Sequence, residues 1–260
     1  MRRKAYTEQD YSIPSLHRGI RIVETIVGRQ HGMTSLELEE ELKIPKTTIY
    51  RILQTLHNAQ WLVKEGEHYI AGHRLIQSGL QALSGMELRQ IAVPFLDRLS
   101  RETEETAHLG IWAGKQVMVA EVCDGPKHIR IASRAGTVTA CHCSSLGKVL
   151  LANVIGRDRL REFYKGETLI RRTPNTITDL DRLAQELDRI VAQGYSVDEE
   201  EYHEGVRCVA APIRNAFGNI VAAVGITATT LTLSAEMIPS VAAKVTGIAE
   251  EVSRALGARG

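Results

Sequence analysis

Two short stretches of the chain hold residue types able to do chemistry. The first, "ACHCSSLGKVLL" from Ala140, sets two thiols, an imidazole and two hydroxyls directly before an apolar run of helical character. Ser144 or Ser145 can cap such a helix, and the backbone N–H groups at that end attract a carboxylate. Cys141, His142 and Cys143 are also metal-ligand types, with Cys123 or Cys208 as a further thiolate. Structural zinc, however, usually spaces its thiolates by about two to four residues, and neighbours in an extended segment point to opposite faces. A nucleophile reading would activate Cys143 or Ser144 with His142 or His108, but no orienting acid or oxyanion hole stands at recognisable spacing. Read alone, the stretch is a capped helix start that could also hold an anion, with a metal-binding sensor or enzyme as the alternative. No metal or cofactor is expected.

The second stretch, "KTTIYRILQTLHN" from Lys46, is amphipathic in an unusual way. On a helical wheel Ile49, Ile52, Leu53 and Leu56 form one narrow stripe. The opposite side carries Thr47, Tyr50, Arg51, Gln54 and Asn58 where an ordinary surface helix would carry Glu and Lys. Short hydrogen-bonding groups and one guanidinium are what reach phosphates and base edges in a DNA major groove.

The elements that must hold these stretches follow from periodicity and punctuation. Residues 1–12 are polar and aperiodic, which predicts a mobile arm. A helical stripe (Leu16, Ile20, Val23, Ile26) follows, with Ser15 as N-cap and Gly28 and Gly32 ending it. Thr34 and Glu37 stand in capping-box spacing and open a second, short helix. Pro45 suits the first position of the third. "WLVKEGEHYIAG" predicts two strands around a turn at Glu65, Gly66 and Glu67. Three short helices and a hairpin over residues 13–74 describe a winged helix-turn-helix, though the acidic hairpin tip would repel phosphate.

Residues 75–87 predict a linker helix, and 88–258 an α/β (α+β) domain with a mostly antiparallel sheet flanked by helices. Within it, a helix is interrupted at Pro94, and strands pair across Ala113, Gly114 and Lys115. "KHIRIAS" from Lys127 reads as a strand, a helix is capped by Thr178, and a hairpin turns through Asn215–Asn219. A last helix runs from about Ser234.

Composition supplies bounds. The chain has 260 residues, 43% hydrophobic and 24% charged, with a net charge of +1. Residues 1–75 hold 11 basic against 9 acidic side chains, so a nucleic-acid role must rest on placement rather than bulk charge. Four dispersed cysteines and no signal peptide predict a reduced, cytoplasmic protein. The longest uncharged stretch, Asn215 to Ala235, is rich in Gly, Thr and β-branched residues and predicts hairpin strands rather than a membrane span.

On "SLHRGIRIVE", "IPKTTIYRILQTL", "HCSSLGKVLLA", "GYSVDEEEYHEGVRCVAAPI" and "GNIVAAVGIT", the sequence resembles the IclR family of bacterial transcriptional regulators over nearly its whole length. The resemblance implies a GAF-like effector domain behind the winged helix, homodimers that pair into homotetramers, and repression of a catabolic operon. "TEETAHLG" and "NTITDLDRL" look most like regulators of sugar-acid breakdown. The family's DNA-contacting positions fall on Arg18, Thr47, Thr48, Tyr50 and Arg51, to which the wheel adds Gln54. Its effector-binding positions fall on Ser145 and Leu146 (backbone N–H groups), Asp198, Cys208, Gly225 and Thr227. The implied partners are double-stranded operator DNA and a small carboxylate such as a sugar acid or 2-keto acid. Gly225 stands where the family often has serine, which would enlarge the pocket floor. In isolation, Asp198 in the "DEEE" run also reads as a solvated charge and Cys208 as core filler.

Overall fold

The computed structural model describes residues 13–84, 87–127 and 131–258. Two compact units divide at Gly85.

The first unit comprises α1 (Pro14–Val27), β1 (Met33–Thr34), α2 (Ser35–Leu42), α3 (Lys46–Asn58), β2 (Leu62–Glu65), β3 (His68–Ala71) and α4 (His73–Ser84). Its core is small: Ile22 and Ile26 from α1, Leu38 from α2, Ile49 and Leu53 from α3, closed by Leu62 and Tyr69 of the hairpin. The capping box forms at α2, where Thr34 Oγ1 accepts from Glu37 N and the Glu37 carboxylate accepts from Thr34 N at 2.7 Å. The hairpin pairs Leu62 with Ala71 and Glu65 with His68, and β1 adds a third strand on the far side of β3. Two terminal assignments shift. Pro14 itself opens α1 and Ile13 precedes it without a side-chain cap, so Ser15 lies inside the helix. Pro45 precedes α3 in an extended conformation and its carbonyl takes the first helical N–H bonds.

The second unit comprises α5 (Glu87–Thr103), β4 (Thr106–Ala113), β5 (Gln116–Cys123), β6 (Val138–Ala140), α6 (Ser145–Leu150), α7 (Gly156–Phe163), α8 (Leu180–Gln193), β7 (Ser196–Glu199), β8 (Val206–Arg214), β9 (Ile220–Thr229) and α9 (Ile238–Ala255). A π-helical turn, Leu151–Ile155, joins α6 to α7. The strands form one antiparallel sheet in the order β6-β5-β4-β9-β8-β7.

Strand alternation divides this unit into two cores. Ala107 and Leu109 of β4, Val209, Ala211 and Ile213 of β8, and Val224, Ile226 and Ala228 of β9 face α5 and α9. The intervening residues face the other way. Ala210 and Ala223 pack there with α6 and α8 through Leu146, Val149, Leu187 and Ile190. On that second face, at the ends of the strands away from the β8–β9 turn, the alternation stops being apolar and the side chains become His108, Asp198, Cys208 and Thr227.

Three expectations for this unit are corrected. Pro94 does not interrupt its helix: α5 runs straight through it. The ring removes one intrahelical bond, but burial of Ala92, Leu96 and Leu99 in the core holds the helix on both sides. The N-cap of α8 is Asp179 rather than Thr178. Its carboxylate accepts from Asp181 N and Arg182 N, while the Thr178 hydroxyl accepts from Arg171. Within the expected strand from Lys127, residues 131–133 are irregular and residues 128–130 lie outside the described residues. The free edge of β5 is taken by β6 instead, with Gln116 opposite Ala140.

Candidate functional site

On α3, burial divides the side chains as the wheel divides them. Ile49 and Leu53 are fully buried, while Thr47, Tyr50 and Arg51 are exposed and Thr48 and Gln54 half-buried. Arg18 is exposed on α1, beside Gly19, whose missing Cβ would lie 3.8 Å from Ile52 of α3. No ion pair or hydrogen bond ties either the Arg18 or the Arg51 guanidinium to another described residue, so both are available to an anionic partner. At the hairpin tip, Lys64 pairs with Glu67 at 3.3 Å, which partly offsets the acidic charge there.

In the second unit a cavity of about 370 Å³ opens on the polar end of the sheet's second face. Ser145, Leu146, Asp198, Cys208, Gly225 and Thr227 all lie on its wall. The structure thus brings together six positions spread over 83 residues of sequence. Ser144 caps α6, accepting from Gly147 N at 3.2 Å and donating to Ala140 O at 2.8 Å. Lys148 N bonds to Ser144 O. That leaves the N–H groups of Ser145 and Leu146, which a helix start cannot satisfy internally, without an acceptor among the described residues, and both residues line the cavity. Gly147 is required for this approach, since a Cβ there would fall 2.5 Å from Cys141 Cα.

Asp198 is not a solvated charge. It is 1% exposed, and its Oδ1 accepts from Glu201 N at 2.7 Å and Tyr202 N at 3.2 Å. Burial pushes its carboxyl up to about 7 and the nearby Glu201 carboxylate adds to this, against the backbone N–H groups and Lys148, which favour the ionised form. Cys208 Sγ lies 3.2 Å from Thr227 Oγ1, which lies 3.3 Å from His108 Nδ1. Burial raises the Cys208 thiol, with the Asp198 charge adding to it, and pushes His108 down to about 4. Both are therefore neutral at physiological pH.

The expectation for Gly225 is corrected. A Cβ there would fall 2.5 Å from Val209 O and 2.9 Å from Ala210 Cβ. The glycine reflects the close approach of β8, not a pocket floor enlarged by a missing hydroxyl.

The residues of the "CHC" segment engage separate partners. Cys141 Sγ donates to Lys115 O at 3.4 Å and His142 Nε2 to Ile170 O at 3.0 Å. Burial pushes both the Cys141 and the Cys143 thiols up to about 12. A thiol held protonated is a poor nucleophile. Among the described residues no group of three His, Cys, Asp or Glu side chains is placed to hold a metal ion.

Residue-level reading missed Lys148. It is 1% exposed and its Nζ binds Glu201 and, at 3.1 Å, Glu186 of α8. This ties the helix that starts at the cavity to α8 and to the turn carrying Tyr202 and His203, which also line it. The available signal was a lysine inside an apolar run, "LGKVLLA", where a surface lysine has no place. Arg134 of the loop before β6 is a further lining residue that sequence did not single out.

Comparison with known proteins gives a consistent assignment. A family model for the IclR C-terminal domain of bacterial transcriptional regulators matches residues 80–254, and one for the IclR helix-turn-helix domain matches residues 15–66. The HTH-type transcriptional regulator KdgR of Escherichia coli is 31% identical over 252 residues, 96% of this chain and 95% of that protein. The crystal structure of the Thermotoga maritima IclR superposes with a TM-score of 0.74 at 29% identity, covering 95% of this chain and 100% of that one. An IclR homologue from Microbacterium hydrocarbonoxydans, solved in complex with 4-hydroxybenzoate, superposes with a TM-score of 0.79 at 23% identity over 93% of this chain and 99% of that one.

Proposed function

We propose that this chain, which belongs to the IclR family of bacterial transcriptional regulators, senses a small hydroxylated carboxylate in the second unit and thereby controls its hold on DNA. That it is a DNA-binding transcriptional regulator and not an enzyme follows from the family. The finer reading makes it a cytoplasmic repressor of a catabolic operon that responds to a sugar acid or 2-keto acid.

The observation that carries the reading is the cavity wall. At one side stand Ser145 and Leu146, at a helix start where aligned peptide dipoles favour an anion. Elsewhere on the wall stand Asp198, Thr227 and Cys208, uncharged or partly so, which suit hydroxyls and carbonyls rather than a second charge. With its carboxyl near 7, Asp198 both accepts and donates at neutral pH. The volume lies in the range of small-molecule pockets. 4-Hydroxybenzoate, held by a protein of the same fold, is itself a hydroxylated monocarboxylate.

In the first unit, Thr47, Tyr50, Arg51 and Gln54 of α3 would read base edges while Arg18 and Thr48 position the backbone. Single modules of this size gain affinity by pairing. Exposed Ile13 just before α1, Leu16 and Ile20 on α1, and Ile76 and Leu80 on α4 offer apolar surface for a homodimer, and a tetramer would pair two such dimers.

A thermal-shift screen tests the effector class. Gluconate, galacturonate, pyruvate and benzoates are compared with their uncharged amides, since a ligand of the folded state raises the melting temperature. Stabilisation by acids and not by amides supports the reading. Stabilisation by neutral or cationic compounds alone overturns it.

A further inference from the structure

Four side chains on four adjacent strands form a single polar row across the cavity wall. Asp198 of β7 stands opposite Cys208 of β8, and Cys208 opposite Thr227 of β9. His108 of β4 stands opposite Gly225, one step diagonal to Thr227. The row is close-set: Asp198 faces Cys208 across the β7–β8 register, Sγ meets Thr227 Oγ1 at 3.2 Å, and Oγ1 meets His108 Nδ1 at 3.3 Å. The row ends at His108 Nε2, which is buried and has no hydrogen-bond partner among the described residues. A buried nitrogen without a partner is destabilising, which points to a partner that the protein does not itself supply.

We propose that His108 is a specificity-determining residue of the cavity, presenting Nε2 to an uncharged oxygen of the ligand, and that Asp198 sets whether Nε2 accepts or donates.

The sense of each link follows from counting protons. An ionised Asp198 only accepts. The thiol then points its proton at the carboxylate, the threonine hydroxyl donates to sulfur, and Nδ1–H donates to the hydroxyl. Nε2 is left as an acceptor. When Asp198 binds one proton, at the Oδ2 that its backbone N–H donors leave open, it can donate to sulfur. The thiol rotates its proton toward Thr227, and the hydroxyl rotates toward Nδ1. The imidazole exchanges tautomer through solvent and carries its proton on Nε2. The row then holds one proton more, all of it at Asp198, and the imidazole stays neutral throughout.

The groups facing this row are few. Asp198 meets Lys148 of α6, Glu201 of the following turn and the Cys143 thiol, His108 meets the charge of Asp124, and Arg134 and His203 line the same cavity. Burial holds His108 neutral down to about 4, so a tautomer change near neutrality is not confused with its own protonation.

For ligand choice, an acceptor Nε2 favours a hydroxyl and a donor Nε2–H favours a carbonyl. This consequence rests on the effector reading above, but the relay does not.

Full-length protein with ¹⁵N-labelled histidine tests the relay by long-range ¹H–¹⁵N correlation. The His108 ring is identified by its loss in His108→Gln. The expected result is a neutral Nδ1–H ring at pH 8.5, a neutral Nε2–H ring at pH 6, and an Nε2–H ring at both pH values in Asp198→Asn, whose amide can donate to sulfur. Thr227→Val, which removes the central hydroxyl, should abolish the pH dependence. One tautomer at both pH values in the unmodified protein, or a switch that persists in Asp198→Asn, overturns the proposal. In the same tube D-gluconate is the ligand probe. A tautomer switch without any gluconate-induced change in the His108 signals would leave the relay standing and count against a sugar-acid effector.

Discussion

Replacing Asp198 with asparagine should reshape the dependence of stability on pH. Asparagine keeps the Oδ1 that accepts from Glu201 N and Tyr202 N and removes only the titration. In the unmodified protein the carboxyl, raised from its ordinary 3.8 to about 7, holds its proton when folded and releases it when unfolded. Between those values the folded state binds more protons than the unfolded, so stability falls as pH rises and is level above pH 7. At about 1.36 kcal/mol per pH unit this amounts to about 4 kcal/mol across the window, of which about 2 kcal/mol falls between pH 5 and 7. His108 acts in the opposite sense: lowered from 6.5 to about 4, it makes stability rise over much of the same range, and the two nearly cancel. The variant should therefore gain on the unmodified protein by about 2 kcal/mol from pH 5 to pH 7, a difference from which groups distant from Asp198 drop out.

The assay is urea unfolding followed by Trp112 fluorescence. The chain has two tryptophans, so Trp61→Phe leaves the signal of the second unit alone, where Trp112 packs against Phe163 at 5.7 Å. A difference between Asn and Asp that is constant from pH 5 to 7 would refute a carboxyl held protonated by burial.

Other substitutions test the remaining geometry. Arg51→Ala should weaken binding to a selected DNA duplex by about 1–3 kcal/mol at fixed salt and relax preference at one base position, without altering the melting temperature, because the side chain is exposed; unchanged affinity in a gel-shift titration would remove it from the interface. Lys148→Met leaves Glu201 buried without its cation and should cost about 3–5 kcal/mol, most of it restored by adding Glu201→Gln; a neutral single variant by urea unfolding would contradict the ion pair. Gly225→Ser should destabilise by about 1–3 kcal/mol, as overpacking against the β8 backbone does, and a serine tolerated at full stability would show that β8 yields there.

Much of the first unit was legible because its signals are local. The capping box of α2, the stripe of Ile49 and Leu53 and the Gly66 turn each lie within a few residues of what they determine. The cavity was legible only in part. The helix start at Ser144 could be read from its own neighbourhood, but Asp198, Cys208 and Thr227 acquire meaning from register across three strands, which no single window of sequence contains. "DEEE" looks like a solvated run by composition. The pleat and the following turn bury Asp198 and Glu201 while Glu199 pairs with Arg207. Lys148 was missed for the same reason, since both its partners lie 38 and 53 residues away. Pro94 misled because local propensity yields to a buried face.

The decisive question is whether a carboxylate at the start of α6 changes affinity for DNA. Fluorescence anisotropy of a duplex selected by the protein from a random pool, at fixed salt, measures this with and without each stabilising acid from the thermal-shift screen. The unmodified protein should show a change in Kd of about 5-fold to 150-fold with at least one acid, the usual span of coupling between two sites. Ser145→Pro removes one N–H at a helix position that tolerates proline and follows an extended Ser144, so it should bind the duplex normally and lose the response. An unchanged Kd with every acid, or a response that survives Ser145→Pro undiminished, would contradict the account.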